Sequence, residues 1–294
     1  MAETSIHDRT ALRVSTMVVT ANFGTKLNIP ELFANIHHAI IPLWYPAEGI
    51  LKIEHKDRVL GESYRDALTK RKISDKCFFN QATLVVRRIN PANGEWKEVN
   101  LKLFANGGVQ ITGIVSKEFA QDVLAWAIEQ ISALPGGTFI DPPAISKFAV
   151  QLINSDFKVG AMLNRDKLHE LLTRRYGLLS MLESTIYQGV NTKYYYNKVT
   201  KDKSRPGQCL CTAFCKGQGT GDGEGECKRV TMSFFQTGNI IITGARDMDQ
   251  IHEAYQFVNK FLDQHANEIV RSVPALPTVR AVSTTPVVPL ATSV

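Results

Sequence analysis

The stretch from Val99 to Ser116, "VNLKLFANGGVQITGIVS", alternates apolar and polar residues on either side of a glycine turn. The alternation predicts a strand, a tight turn and a second strand ending near Thr112, with Ser116 as the N-cap of a helix to about Ile131. Leu101, Leu103, Val109 and Ile111 fall on one face, and Lys102, Phe104, Gln110 and Thr112 on the other. The pattern returns at Val230 to Asp247, "VTMSFFQTGNIIITGARD". There Met232, Phe234, Ile240 and Ile242 form the apolar face, and Ser233, Phe235, Ile241 and Thr243 the opposite one. The apolar faces are predicted to lie against helices. A face with one phenylalanine per copy among small and polar residues is poor core. It suits a wet, polar partner into which the ring can wedge, unless a further element covers Phe104 and Phe235.

The two stretches pair at a constant offset of 131 (Val99 to Val230), without gaps through Gly113 and Gly244. Upstream, "LNIPEL" from Leu27 and "LNRDKL" from Leu163 pair at 136. Two blocks in the same order at nearly the same offset identify a tandem duplication of a strand–helix–strand–strand–strand–helix unit. The first copy is expected to open with a strand over Val14–Ala21 and a helix capped by Asn28, and to continue with a strand over Phe78–Ile89. The second has a strand from Lys147 to about Ser155, a helix from Asn164 to about Tyr176 and a strand at "TKYYYNKV". Its closing helix runs to about His265.

The expected domain plan is a flexible N-terminus (1–13) and a first repeat (14–134) with an insertion near 41–76, in which "ILKIEHKDRVLG" reads as a hairpin. A Pro/Gly linker (135–146) leads to a second repeat (147–271) with a Cys/Gly-rich insertion near 200–227. The end of the chain (272–294), with four prolines and one charge, reads as a disordered tail.

Composition is that of an ordinary globular protein: 294 residues, 44% hydrophobic and 21% charged. No apolar run approaches the roughly 18–20 residues of a membrane span, and the N-terminus has no apolar signal core, so an intracellular protein with no membrane partner is expected. The net charge of +6 leans toward an acidic partner such as nucleic acid. The basic residues are dispersed, however, and a mildly basic protein without a polyanion partner fits them too.

The stretches "VVTANFGTKLNIPELF", "VNLKLFANGGVQITG" and "VTMSFFQTGNIIITGARDMDQIHEAYQFV" resemble the two halves of the TATA-box-binding protein (TBP) core, over most of Val14 to about Gln264. The insertions and cysteine loop resemble the divergent TBP-like factors of large nucleocytoplasmic DNA viruses. The resemblance implies an α+β fold, a saddle made of a curved antiparallel sheet of about ten strands with four helices on its convex face. It implies that the concave face sits in the minor groove of A·T-rich double-stranded DNA and bends it by wedging phenylalanines between base steps, the established mode of this family. The implied role is transcription initiation, with other initiation factors and RNA polymerase as partners, in the nucleus or a cytoplasmic viral factory.

Carried over residue by residue, Phe104 and Phe235 match a wedge phenylalanine, and Thr112 and Thr243 the minor-groove threonine. The second wedge is expected at Phe79, beside Phe78, in the first copy. In the second copy it is expected among Tyr194–Tyr196, with Tyr195 at the centre. Where the family places saddle-centre asparagines, this chain has Thr16 and Leu152; Val18 and Asn154, two residues on from each, face the same way. Lys102 and Gln110 replace apolar groove-lining residues of the first copy, Ser233 is the counterpart of Lys102, and Ile241 keeps the apolar character. Since minor-groove readout is largely A·T against G·C, these changes bear on strict TATA preference more than on bending. Phosphate contacts are expected from Arg87, Arg88, Lys97, Lys193, Lys198 and Arg229, with solvated surface charge as the alternative for each.

Four of the five cysteines (Cys209, Cys211, Cys215 and Cys227) fall in one glycine-rich loop. In an intracellular chain this clustering favours a metal over disulfides, and four thiolates complete a tetrahedral structural zinc site. The spacing C-x-C-x3-C-x11-C is not the common paired one, and a reduced loop with some cysteines packed as small hydrophobes is the alternative. Cys77 reads as a lone thiol. "GQGTGDGEG" lacks the strand-to-helix context and the Gly-Lys-Ser/Thr ending of a phosphate loop. No nucleophile–base pattern stands out, so a binding protein is expected and not an enzyme. Two other readings stay open: an interaction module in a transcription or virion complex that has lost DNA binding, and an enzyme carrying a saddle-type domain.

Overall fold

The computed structural model describes residues 5–68, 80–183, 185, 187–199, 202, 204–211, 215 and 217–271. Eleven strands form one open sheet: β1 (Arg13–Asn22), β2 (Gly49–His55), β3 (Arg58–Gly61), β4 (Gln81–Ile89), β5 (Trp96–Phe104), β6 (Gly108–Ile114), β7 (Ser146–Lys158), β8 (Ser180–Glu183), β9 (Tyr187–Tyr196), β10 (Lys228–Phe234) and β11 (Asn239–Ala245). Their order is β3-β2-β4-β5-β6-β1-β7-β11-β10-β9-β8, and every neighbouring pair is antiparallel. Read outward from the central β1–β7 pair, β6, β5, β4 and β2 on one side correspond to β11, β10, β9 and β8 on the other. The strand beyond the expected ten is β3, supplied by the hairpin in the first insertion.

Among the described residues the helices are α1 (Ile29–Asn35), α2 (Tyr64–Leu68), α3 (Lys117–Ser132), α4 (Arg165–Glu170), α5 (Met248–Gln264) and α6 (Ala266–Ile269). Capping repeats with the duplication. Asn28 and Asn164 accept from the third residue of α1 and α4, while Ser116 and Asp247 cap α3 and α5. The turns repeat too. Gly107 and Gly238 hold φ near +84° and +82°, and each donates to the carbonyl of the phenylalanine three residues before it. A Cβ at Gly107 would lie 1.9 Å from Thr25 O, and at Gly238 2.4 Å from Val159 O. Only glycine serves there, because the positive φ and the close backbone approach coincide.

The alternation in the sequence decides what lies between sheet and helices. Leu101, Leu103, Val109 and Ile111, with Met232, Phe234, Ile240 and Ile242, are buried in one continuous core with Phe119, Val123 and Leu124 of α3 and Val258, Phe261 and Leu262 of α5. That burial leaves the other face of the sheet without a helical layer over its centre.

Several expectations change. Residues 5–12, read as a flexible lead-in, are packed: Ile6 is buried, Thr10 donates to Lys158 O, and Arg9 pairs with Asp263 and donates to Asn259 Oδ1. The Pro/Gly linker is tied down as well. Thr138 O accepts from Asn28 N and Phe139 bridges Leu27, as Ile269 O and Val270 do for Asn164 and Leu163. The strand read at "TKYYYNKV" starts earlier, at Tyr187, and is flanked by β8, whose short sequence carries no alternation long enough to show. The calls on Cys77, Phe78, Phe79 and the 272–294 tail lie outside the described residues.

Candidate nucleic-acid interface

The open face is built from the residues between the buried ones. On the central strands, Thr16, Val18, Leu152 and Asn154 are half-buried and alternate with core residues such as Met17, Val19, Ile153 and Phe157. Thr16 lies opposite Asn154 and Val18 opposite Leu152, so the four sit on the seam between the copies. Asn154 is not free: its Oδ1 accepts from the Thr243 hydroxyl on β11. Beyond the seam lie Gln110 and Thr112 on one side, and Ile241 and Thr243 on the other, all half-buried. Then come Lys102, exposed, with Phe104, and their counterparts Ser233, buried, with Phe235. The structure thus brings Thr16, Val18, Asn154, Lys102, Phe104, Gln110, Thr112, Ser233, Phe235, Ile241 and Thr243 onto one surface.

Register settles the second aromatic of the second copy. Phe104 pairs with Gln81, and Phe234 pairs with Val190, so Gly189 faces Phe235. A Cβ on Gly189 would lie 2.8 Å from the Tyr187 ring and 3.2 Å from that of Phe235. The missing side chain lets Tyr187 and Phe235 meet edge to face, centroids 5.6 Å apart. Tyr187, 40% exposed, is therefore the neighbour of Phe235. Tyr195, expected in that role, lies eight residues along the strand, and its hydroxyl donates to Gly217 O. Counting two residues back from the partner of each strand-end phenylalanine would have found Tyr187. Beside Phe235 a groove of about 640 Å³ runs between Arg13, Ser15, Asp156, Asn239 and Ile241.

The expected phosphate contacts divide. Arg87 and Arg88 are buried and engaged within the protein, a correction to their reading as surface contacts. Arg87 donates to Leu43 O, Tyr45 O and Ala47 O and stacks over Trp96. Arg88 is on the helix face, between Glu48 and Asp122 (2.8 Å each) and over Trp126. Lys97, its partner in the register, shares that face. In the second copy the cations remain on the open face. Arg229 is exposed, and Lys193 is held by Asn191 Oδ1 and Thr231 Oγ1, both neutral, at 3.0 Å. Burial, and to a lesser degree the neighbouring charge of Arg229, lower the Lys193 pKa. Lys198 is exposed, beyond the end of β9.

Cys209, Cys211, Cys215 and Cys227 gather with all four sulfurs within 4.8 Å of one another. Sγ–Sγ separations of 3.2, 3.5 and 3.8 Å compare with about 3.8 Å for a tetrahedron built on Zn–S bonds of about 2.3 Å. Burial pushes the Cys215 thiol up, but hydrogen bonds from Cys227, the Gly219 amide and Cys209 bring it down to about 7. Burial and its thiol neighbours drive Cys227 far up. A cation would relieve that conflict, and these four residues can hold one.

The chain is similar to the TATA-box-binding protein-like protein of Acanthamoeba polyphaga mimivirus, 28% identical over 281 residues. The alignment covers 88% of this chain and 66% of that protein. The resemblance to divergent viral TBP-like proteins thus extends over most of the chain. No family model matches the chain. Among solved structures it is similar to the TBP of Methanococcus jannaschii, at 17% identity and a TM-score of 0.44, covering 88% of this chain and 99% of that one. No helix among the described residues is long and apolar enough to cross a membrane.

Proposed function

We propose that this TBP-like chain binds and bends double-stranded DNA through its open sheet face and acts as a transcription initiation factor, a binding protein without catalysis. The observation that carries the reading is the matched pair of strand-end phenylalanines on an uncovered, polar sheet face. Phe104 and the Tyr187–Phe235 pair supply wedges at the two ends of the face. Unstacking a base step costs a few kcal/mol, and the bent duplex offsets this by meeting more protein surface. The half-buried threonines and Gln110 offer hydrogen bonds to base edges in the minor groove, while Arg229 and Lys193 supply phosphate contacts at the second end. The seam carries Thr16, Val18, Leu152 and Asn154, so the preference is for A·T-rich, deformable DNA and not a strict TATA sequence. We propose further that the four cysteines hold one structural zinc, and that the helical side is free for initiation factors and RNA polymerase.

Fluorescence transfer on end-labelled duplexes, A·T-rich against G·C-rich across a salt series, tests the reading. A salt-dependent rise in transfer on A·T-rich DNA is expected, lost in Phe104→Ala and in Phe235→Ala. Absence of binding at low salt would replace it with an interaction module that has lost DNA binding, a reading to which the internal engagement of Arg87 and Arg88 contributes.

A further inference from the structure

The cysteine loop is tied to the open face at several points. Cys227 directly precedes β10, and its amide donates to Cys211 Sγ at 3.2 Å. The amide of Arg229, two residues on, donates to Gly219 O at 2.8 Å. Gly219 (φ +64°) lies so close that a Cβ there would be 2.5 Å from Arg229 Cβ. The Tyr195 hydroxyl donates to Gly217 O at 2.8 Å, and Asn197 Nδ2 to Gly225 O at 2.8 Å. Carbonyls from the segment between Cys215 and Cys227 therefore fix the outer ends of β9 and β10.

That segment cannot hold itself. Glycine stands at 217, 219, 221, 223 and 225, and ordering each residue costs about 1–2 kcal/mol of backbone entropy. It lacks the apolar residues to build a core of its own. The feature that closes it at both ends is the thiol cluster, and an all-thiolate donor set favours a soft or borderline divalent ion such as zinc. We propose that a metal on Cys209, Cys211, Cys215 and Cys227 positions Tyr195 and Arg229, and thereby sets the phosphate-contacting end of the open face. The consequence for DNA rests on the function proposed above; the clamp itself does not.

The test uses the full chain, reduced, with and without zinc removed by a chelator. Metal analysis is expected to give one zinc per chain. Mass-detected hydrogen exchange is expected to rise about tenfold at the outer ends of β9 and β10 on removal, with β4 and β5 unchanged as the internal control. A·T-rich duplex affinity is expected to fall about tenfold, and the salt slope to drop by about one. In a Tyr195→Phe, Arg229→Ala double variant, removing zinc should cost no further affinity, because metal and side chains act as one unit. Should chelation precipitate the protein, Cys209→Ser and Cys211→Ser, both at half-buried positions, take its place. No metal bound, exchange unchanged on removal, or tight metal-independent DNA binding would each overturn the proposal. Metal-dependent exchange with no duplex binding in either state would sink the DNA reading and leave the clamp standing.

Discussion

Arg87 in β4 and Tyr195 in β9 occupy equivalent positions, opposite Glu98 and Arg229, which are themselves 131 residues apart in the duplication. Each anchors the insertion of its own repeat. Arg87 donates to three carbonyls of the 41–48 loop, and Glu98 accepts from Tyr64 N of α2. Tyr195 donates to Gly217 O, and Arg229 N to Gly219 O. The outcomes differ in charge. In the first copy the guanidinium is buried beneath the insertion, and Lys52 nearby is neutralised by Glu54 and Asp66. In the second copy the carbonyls are satisfied by a phenol and a backbone amide, so the side chains of Arg229 and Lys193 stay on the open face. A duplicated frame can thus hold two unrelated insertions at one anchor point and treat the charge at that point differently in each copy.

The frame itself is where the halves should behave alike, and where the largest effects fall. Gly107→Ala and Gly238→Ala should each destabilise by about 2–4 kcal/mol in chemical denaturation, since a positive φ and a backbone clash coincide. Gly94→Ala, also at positive φ but with open space around it, should cost only about 1 kcal/mol. A tolerated Gly238→Ala beside a damaging Gly107→Ala would break the equivalence. Next in size, Arg88→Ala should cost about 2–3 kcal/mol by the same measurement, because Glu48 and Asp122 lose a shared, buried partner.

Smaller effects sharpen the contrast at the ends. Arg229→Ala should weaken duplex binding about tenfold and lower its salt slope by about one, whereas Arg87→Lys should leave the slope unchanged. The smallest effect is on pH. Burial opposes the charge on Asp66, but hydrogen bonds from Lys52 and Ser63 outweigh it and hold the pKa below the usual carboxylate value. Its stabilisation is then present above the unfolded value near 4 and is lost as pH falls through the lower folded pKa. Acid titration followed by tryptophan fluorescence should show this loosening of the first insertion in wild type and not in Asp66→Asn.

How much of this was legible in the sequence follows from which interactions are local. The duplication, the two faces of β5–β6 and β10–β11, and the caps at Asn28 and Ser116 depend on periods and spacings of a few residues, and all stand in the structure. Arg87 and Arg88 could not be read that way. Their burial depends on a loop some 40 residues earlier, and two adjacent arginines on a strand point to opposite faces whatever covers them. Tyr187 was hidden for another reason: the three consecutive tyrosines stand at the far end of β9, while the decisive partner was a glycine that only cross-strand register reveals. The packing of residues 5–13 and 135–146 was equally non-local, set by contacts with α5, β7 and the cap of α1.

The place of β1 at the centre of the sheet has a consequence in time. One edge of β1 is hydrogen-bonded to β6 and the other to β7, so this strand is completed by strands that arrive about 100 and 140 residues later. At roughly 5–20 residues per second that is a wait of about 5–20 s with both edges bare, and of up to about 30 s before the second edge is covered. Its sequence, "RVSTMVVTAN", carries a single charge and a run of β-formers, the kind of segment prone to pair with other chains. Yield on expression is therefore expected to rise with dilution or added chaperone and to respond to translation rate, as pulse-labelled solubility at two translation rates would show.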